Sequence, residues 1–199
     1  MDRRTGKGTA RGAIIVLGLA GGVFSGVSCR GTDIAQPTEP STAAELHPTL
    51  ATTPSALSFR QVSAGFNHTC GVTTENRAYC WGRNKRGQLG DGTTTTRLTP
   101  VAVAGGLPFR QVSTAFSHTC GVTTENRAYC WGNGGSGRLG DGTALDRLAP
   151  VAVAGGLPFR QISAAYGHTC AVTTNDRAYC WGLNRDGRLG DGTTTRRLT

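Results

Sequence analysis

Three near-identical stretches hold most of the reactive side chains: HTCGVTTENRAYCWG at 68–82, the same letters at 118–132, and HTCAVTTNDRAYCWG at 168–182. Each supplies one His, two Cys ten positions apart and one Trp. Facing cysteines can close a disulfide, and a His with two thiolates can hold zinc. A thiol pair can shuttle electrons, and a Trp can stack on a sugar or a base. A zinc site would draw on His68, Cys70 and Cys80, but no fourth ligand or catalytic carboxylate is fixed nearby. Redox catalysis fits poorly, because the pairs lack the helix-terminal C-x-x-C setting that lowers a thiol pKa. His68, His118 and His168 stand without a Ser–His–Asp or paired-carboxylate arrangement. They are expected to hydrogen-bond the turn that precedes them. Asp91, Asp141 and Asp191 lie in Gly-Asp-Gly turns, with too short a ligand run for calcium.

The elements that must position these groups are strands. Alternating apolar residues in RQVSAGF (Val62, Ala64, Phe66) mark a first strand. HTCGVT and RAYCWG make a hairpin, and TPVAVAG adds a fourth strand after a long polar loop. In the hairpin, Thr74-Glu75-Asn76 forms a three-residue loop, with Asn76 at the place that needs a left-handed conformation. That loop sets Cys70 opposite Cys80, Gly71 opposite Tyr79 and Val72 opposite Ala78. Cys70, Val72, Ala78 and Cys80 then share one side of the sheet, and Tyr79 and Trp81 the other. Both sides are partly apolar, as in a sheet packed on each face by neighbours. Facing cysteines at a closely spaced site suit a disulfide, and the same holds for Cys120 with Cys130 and Cys170 with Cys180. Disulfides are the leading expectation. Buried thiols and zinc stay open as alternatives.

From Phe59 onward the sequence repeats every 50 residues, and 38 of 50 positions agree between the first two copies. Copies run 59–108, 109–158 and 159–199. Short strands at that period point to β-propeller blades of four antiparallel strands, an all-β fold. The stretch SAGFNHTCGVT…RAYCWGRNKRGQLGDGT…TPVAV resembles the repeat of the regulator of chromosome condensation family. The resemblance covers 59–199, and the second copy departs from it with Gly134 at the loop Asn position. It implies a seven-bladed propeller acting as an interaction scaffold. In one eukaryotic branch it implies chromatin binding and nucleotide exchange on a small GTPase, and in a bacterial member inhibition of β-lactamases. Three copies do not close such a ring. The chain is therefore expected to be part of a longer protein, with self-association through open blade edges as the alternative. Trp81, Trp131 and Trp181 are expected in interblade packing.

The N-terminal segment 1–28 reads as an export signal. Basic MDRRTGKGTAR precedes the apolar run AIIVLGLAGGVF, too short to span a bilayer. Gly26 and Ser28 before Cys29 resemble a lipoprotein signal, with Cys29 the lipidation site; a conventionally cleaved signal is the alternative. Residues 29–57, rich in Pro, Thr, Ser and Ala, read as a flexible tether, followed by the repeats at 58–199. Of the formal charge of +9, Arg3, Arg4, Lys7 and Arg11 against Asp2 place +3 in the first 28 residues; no block of like charge follows. No nucleic-acid partner and no cofactor are expected. A membrane is expected to be met only through a lipid anchor or signal.

The copies differ mainly at 83–86, 133–136 and 183–186 and at 94–96, 144–146 and 194–196. These loops are the candidate partner-binding surface, with Arg83, Lys85, Arg86, Asn133, Ser136, Arg185 and Asp186 as candidate contacts. The expected function is a non-enzymatic, exported scaffold for protein–protein interaction at the bacterial cell envelope. The alternatives are an enzyme regulator, by family analogy an exchange factor or inhibitor, and a carbohydrate-acting propeller.

Overall fold

A computed structural model describes residues 57–199. The signal segment, Cys29 and the tether up to residue 56 lie outside the described residues. Eleven strands and one 3-10 turn form three antiparallel sheets, one per repeat. The first sheet runs β1 (Phe59–Ala64), β2 (His68–Thr73), β3 (Ala78–Gly82) and β4 (Arg97–Ala102). The second repeats this order as β5 (Phe109–Thr114), β6 (His118–Thr123), β7 (Ala128–Gly132) and β8 (Arg147–Ala152). The third holds β9 (Phe159–Ala164), β10 (His168–Thr173) and β11 (Ala178–Gly182). Strands neighbouring in sequence are neighbours in each sheet, as in consecutive propeller blades.

The hairpin register is the expected one, with Cys70 opposite Cys80, Gly71 opposite Tyr79 and Val72 opposite Ala78. The turn fixes it. Asn76, Asn126 and Asp176 adopt φ of 63°, 62° and 63°, the left-handed conformation that Asn and Asp tolerate best after Gly. Two strands depart from expectation. The first strand stops at Ala64, so Phe66 does not continue its face; the chain bends away and leaves the ring 75% exposed. The fourth strand spans Arg97–Ala102 rather than 99–105, because Arg97 pairs with Gly82 beyond a register shift in β3. Pro100 sits inside this outer strand, where its missing N–H faces away from the ladder.

Each sheet has a leading face toward the preceding blade and a trailing face toward the next. Cys70, Val72, Ala78, Cys80, Leu89 and Val103 of the first trailing face pack on Phe109, Val112 and Trp131 of the second leading face. The second interface repeats it, with Cys120, Val122, Ala128, Cys130, Leu139 and Val153 against Phe159, Ile162, Ala171 and Trp181. The core therefore lies between blades. Gly90 makes room for it: its φ is +70°, and a Cβ there would lie 2.7 Å from the Trp131 ring.

Hydrogen bonds add a polar seam along each interface. Gln61 donates from Nε2 to Val112 O at 2.7 Å, and its Oε1 accepts from Val112 N at 2.8 Å. One side-chain amide thus satisfies the outward backbone groups of Val112 on the edge strand β5, which would otherwise be open for pairing. Gln111 does the same for Ile162. A bulge after Phe59 turns Arg60 outward, where it donates to Asn76 Oδ1 and to Phe109 O across the boundary.

Candidate functional site

The cysteines are paired as three disulfides, Cys70–Cys80, Cys120–Cys130 and Cys170–Cys180. Their Cα atoms are 4.0, 4.0 and 4.1 Å apart, the close spacing of a non-hydrogen-bonded antiparallel pair. Cys70, Cys80, Cys120 and Cys130 are fully buried on the trailing faces. Among the described residues no three His, Cys, Asp or Glu side chains converge as metal ligands.

Each histidine meets the turn before it through its backbone: His68 O accepts from Gly65 N at 2.9 Å, His118 O from Ala115 N at 3.0 Å and His168 O from Ala165 N at 2.9 Å. The rings of His68 and His118 reach instead into the next blade. His68 Nε2 meets Thr119 Oγ1 at 2.7 Å, and His118 Nε2 meets Thr169 Oγ1 at 3.0 Å. The reason lies in the strand. His68 shares its side of β2 with Cys70 and Val72, so its ring points along the trailing face. The Thr119 hydroxyl donates to Gln88 O at 2.9 Å, and the same carbonyl accepts from Trp131 Nε1 at 3.0 Å. With its proton committed to Gln88, the hydroxyl accepts from the imidazole, which assigns the hydrogen of His68 to Nε2. Burial pushes the His68 pKa down to about 4 and that of His118 to about 3, with Arg138 adding to the latter. These rings are neutral hydrogen-bond donors inside an interface, with no access to a substrate.

The aspartates organise the long loops. Asp91 Oδ1 accepts from Asn84 Nδ2 at 2.9 Å, from Thr93 N at 3.0 Å and from Thr93 Oγ1 at 2.8 Å, while Oδ2 accepts from Arg97 Nε at 3.0 Å. Burial alone would raise its pKa, but the bonds from Thr93 and Arg97 outweigh that and hold it below the usual carboxylate range. In the second repeat, where Gly134 replaces the Asn, the loop tightens into a 3-10 turn at Gly135–Gly137. Gly134 N then donates to Asp146 Oδ1 at 3.0 Å, and a Cβ at 134 would lie 1.9 Å from Leu145 O. The departure in sequence is a rebuilt loop.

The β1–β2 and β3–β4 loops meet at one rim of the blades. Arg83 N donates to Asn67 O at 2.9 Å, and Asn133 N to Ser117 O at 2.9 Å. Three of the candidate contacts are brought together there. Arg83, Arg86 and Asn133 line a cleft of about 240 Å³ with Asn67, Gln88, Phe116 and Ser117. Lys85 is exposed beside it without lining it, and Ser136 is half-buried in the 3-10 turn with φ of 64°. Arg185 and Asp186 are exposed on the third blade, where Asp186 pairs with Arg188. Sequence reasoning missed Phe66, Phe116 and Tyr166, which pack in a row along the same rim with ring centroids 4.9 and 5.1 Å apart and planes tilted by 33° and 49°. Their signal was present as an aromatic residue two positions before each His. A larger cavity of about 340 Å³, lined by Val153, Leu157, Phe159, Tyr179 and Trp181 among others, is apolar and holds no acid–base pair.

Models of the Regulator of chromosome condensation (RCC1) repeat match this chain. One covers residues 59–88, 109–138 and 159–188, and a second covers 75–122 and 125–172. The Ultraviolet-B receptor UVR8 of Arabidopsis thaliana is 42% identical over 43 residues, 22% of this chain and 10% of that protein. Among solved structures, human WBSCR16 superposes with a TM-score of 0.66 at 20% identity, covering 73% of this chain and 37% of that one. Prp20p of Saccharomyces cerevisiae, studied together with its binding to Gsp1p and histones, gives a TM-score of 0.61 at 22% identity, covering 71% of this chain and 37% of that one. The chain thus spans little more than a third of the structures it matches, and at these identities the likeness is one of fold.

Proposed function

This chain belongs to the regulator of chromosome condensation repeat family, and from that premise we propose that it is a non-enzymatic scaffold whose rim loops bind another protein. One observation carries the reading: the positions that differ between repeats gather mainly at one rim, while the apolar side chains packed between blades recur from repeat to repeat. Arg83, Arg86 and Asn133 line one cleft at that rim. His68 and His118, the cysteines of the first two hairpins, Trp131 and Trp181 are committed to the interfaces, and Asp91 and Asp141 to turns. Binding of protein partners by the yeast neighbour supports the same class of role.

We place the protein outside the cytoplasm, at a bacterial cell envelope, lipid-anchored at Cys29 or secreted. The basic-then-apolar N-terminal segment supports this. So do the three cysteine pairs, since disulfides persist in oxidising compartments. The test compares cross-linked partners recovered from envelope extract by the unaltered chain with those recovered by two variants. Arg83→Ala/Lys85→Ala/Arg86→Ala is expected to lose the partner, and Glu75→Ala/Arg77→Ala, at the opposite end, to keep it. Equal recovery by the rim variant would remove the rim from the function.

A further inference from the structure

We propose that the rim takes an acidic peptide segment of a protein partner, with a carboxylate in the cleft between the first two blades and an apolar side chain on the aromatic row that runs on to the third. This rests on the interaction reading above and names the chemistry of the partner.

Charge sets the first requirement. Asp91, Asp141 and Asp191 in the rim loops are already held by Arg97, Arg147 and Arg197 at 3.0, 2.7 and 2.8 Å. Of the other carboxylates in these loops, Asp146 pairs with Arg86 and Asp186 with Arg188. Against them stand Arg83, Lys85 and Arg86 in the first repeat and Arg185, Arg188 and Arg196 in the third. The rim is therefore left with excess positive charge. Arg83 has no carboxylate partner among the described residues. The Arg86–Asp146 pair, at 3.1 Å with the arginine side chain 60% exposed, is open to exchange with an incoming carboxylate. Both arginines line the cleft, where Asn67, Gln88, Ser117 and Asn133 add neutral hydrogen-bonding groups.

The aromatic row sets the second requirement. Phe66 is 75% exposed and Tyr166 64% exposed, and Phe116, packed between them, also lines the cleft. Exposed rings gathered in a row beside a polar cleft suit an apolar anchor next to a charged one. The spacing disfavours flat ligands. A base or sugar ring inserted between two aromatics needs about 7 Å, twice the ~3.5 Å of van der Waals contact. The rings here are 4.9 and 5.1 Å apart, already packed on one another. An aliphatic or aromatic side chain can lie across their exposed edges.

The experiment uses the full chain with its disulfides intact and reads fluorescence anisotropy of a labelled peptide, Glu-Asp-Phe-Glu-Asp-Leu. Competitors are its Lys-substituted counterpart, an oligogalacturonate and a single-stranded oligothymidylate. The acidic peptide is expected to bind and the Lys peptide not to. Affinity should fall at least about tenfold in Arg83→Ala/Arg86→Ala and in Phe66→Ala/Tyr166→Ala, and stay unchanged in Arg77→Ala/Arg127→Ala. Near-UV circular dichroism confirms that each variant is folded. Three outcomes overturn the proposal: no binding up to about 1 mM peptide, binding indifferent to either rim variant, or stronger binding of the uronide or the oligonucleotide than of the peptide. If cross-linked proteins still depend on Arg83 and Arg86 while the peptide does not bind, the acidic-segment inference fails and the scaffold reading stands.

Discussion

His118 is fully enclosed between the second and third blades, and among the described residues the only hydrogen-bond partner of its ring is the hydroxyl of Thr169. An imidazole so placed binds a proton far less readily than it does in the unfolded chain. The unfolded His takes up its proton near 6.5, while His68 waits until about 4 and His118 until about 3. Between those limits the unfolded state holds more protons, so acid favours unfolding. Stability is expected to be flat above pH 7 and to fall from about 6.5 toward 4, by about 1.4 kcal/mol per pH unit for each ring. His168, shifted down by burial and by Arg188, adds in the same direction. Asp91 and Asp141 act in a separate, more acidic window, since the bonds from Thr93 and Arg97, and from Thr143 and Arg147, lower their pKa values. Urea midpoints at pH 7.5, 5.5 and 4.5 would show the slope. A constant midpoint would mean that the histidines are not buried as described.

At the scale of the element, the hairpin is the unit that recurs without change. Its left-handed Asn or Asp sets the register, and the register sets the cysteines face to face. The disulfide closes a short loop that the turn has already ordered, so its effect falls mainly on the unfolded chain. Replacing Cys120 and Cys130 together with Ala is expected to cost about 2–3 kcal/mol, the chain-entropy value for a loop of this length. Guanidinium titration of that variant beside the oxidised parent provides the measurement, and a loss below about 0.5 kcal/mol would leave the bond without a stabilising role. Because both sulfurs are fully buried, reduction in the absence of denaturant should lag behind reduction in its presence. The loop after β7 behaves differently: the change from Arg-Asn-Lys-Arg at 83–86 to Asn-Gly-Gly-Ser at 133–136 is absorbed by a new turn, since no ladder depends on it.

In the described part of the molecule as a whole, the blades depend on one another. Each sheet is apolar on both faces, so neither face can be left to water, and the core lies in the two interfaces. Such arrays derive much of their stability from nearest-neighbour contacts. Trp131 is fully buried at the first interface and donates to Gln88 O across it. Trp131→Ala should therefore cost about 3–5 kcal/mol, removing packing and a hydrogen bond together. Thermal unfolding followed by far-UV circular dichroism would register it. A loss near that of an exposed substitution would contradict an interface placed there. The variable rim positions, 83–86 and 94–96 with their counterparts in the second repeat, lie outside the two apolar clusters, and that leaves them free to differ between repeats.

The 50-residue period, the strand pattern and the Asn turn were enough to determine the hairpin, its register, the facing cysteines and the opposite orientation of the Trp. All of these depend on contacts within about 15 residues. Tertiary structure alone decided where the His rings and the aromatic row lie. His68 finds Thr119, and Phe66 finds Phe116, at separations of about one full repeat. The alternation of RQVSAGF continues through Phe66 on paper, and nothing local shows that the strand ends two residues earlier. Those positions follow from how one blade packs on the next, and the energy that fixes them lies in the interface between the blades.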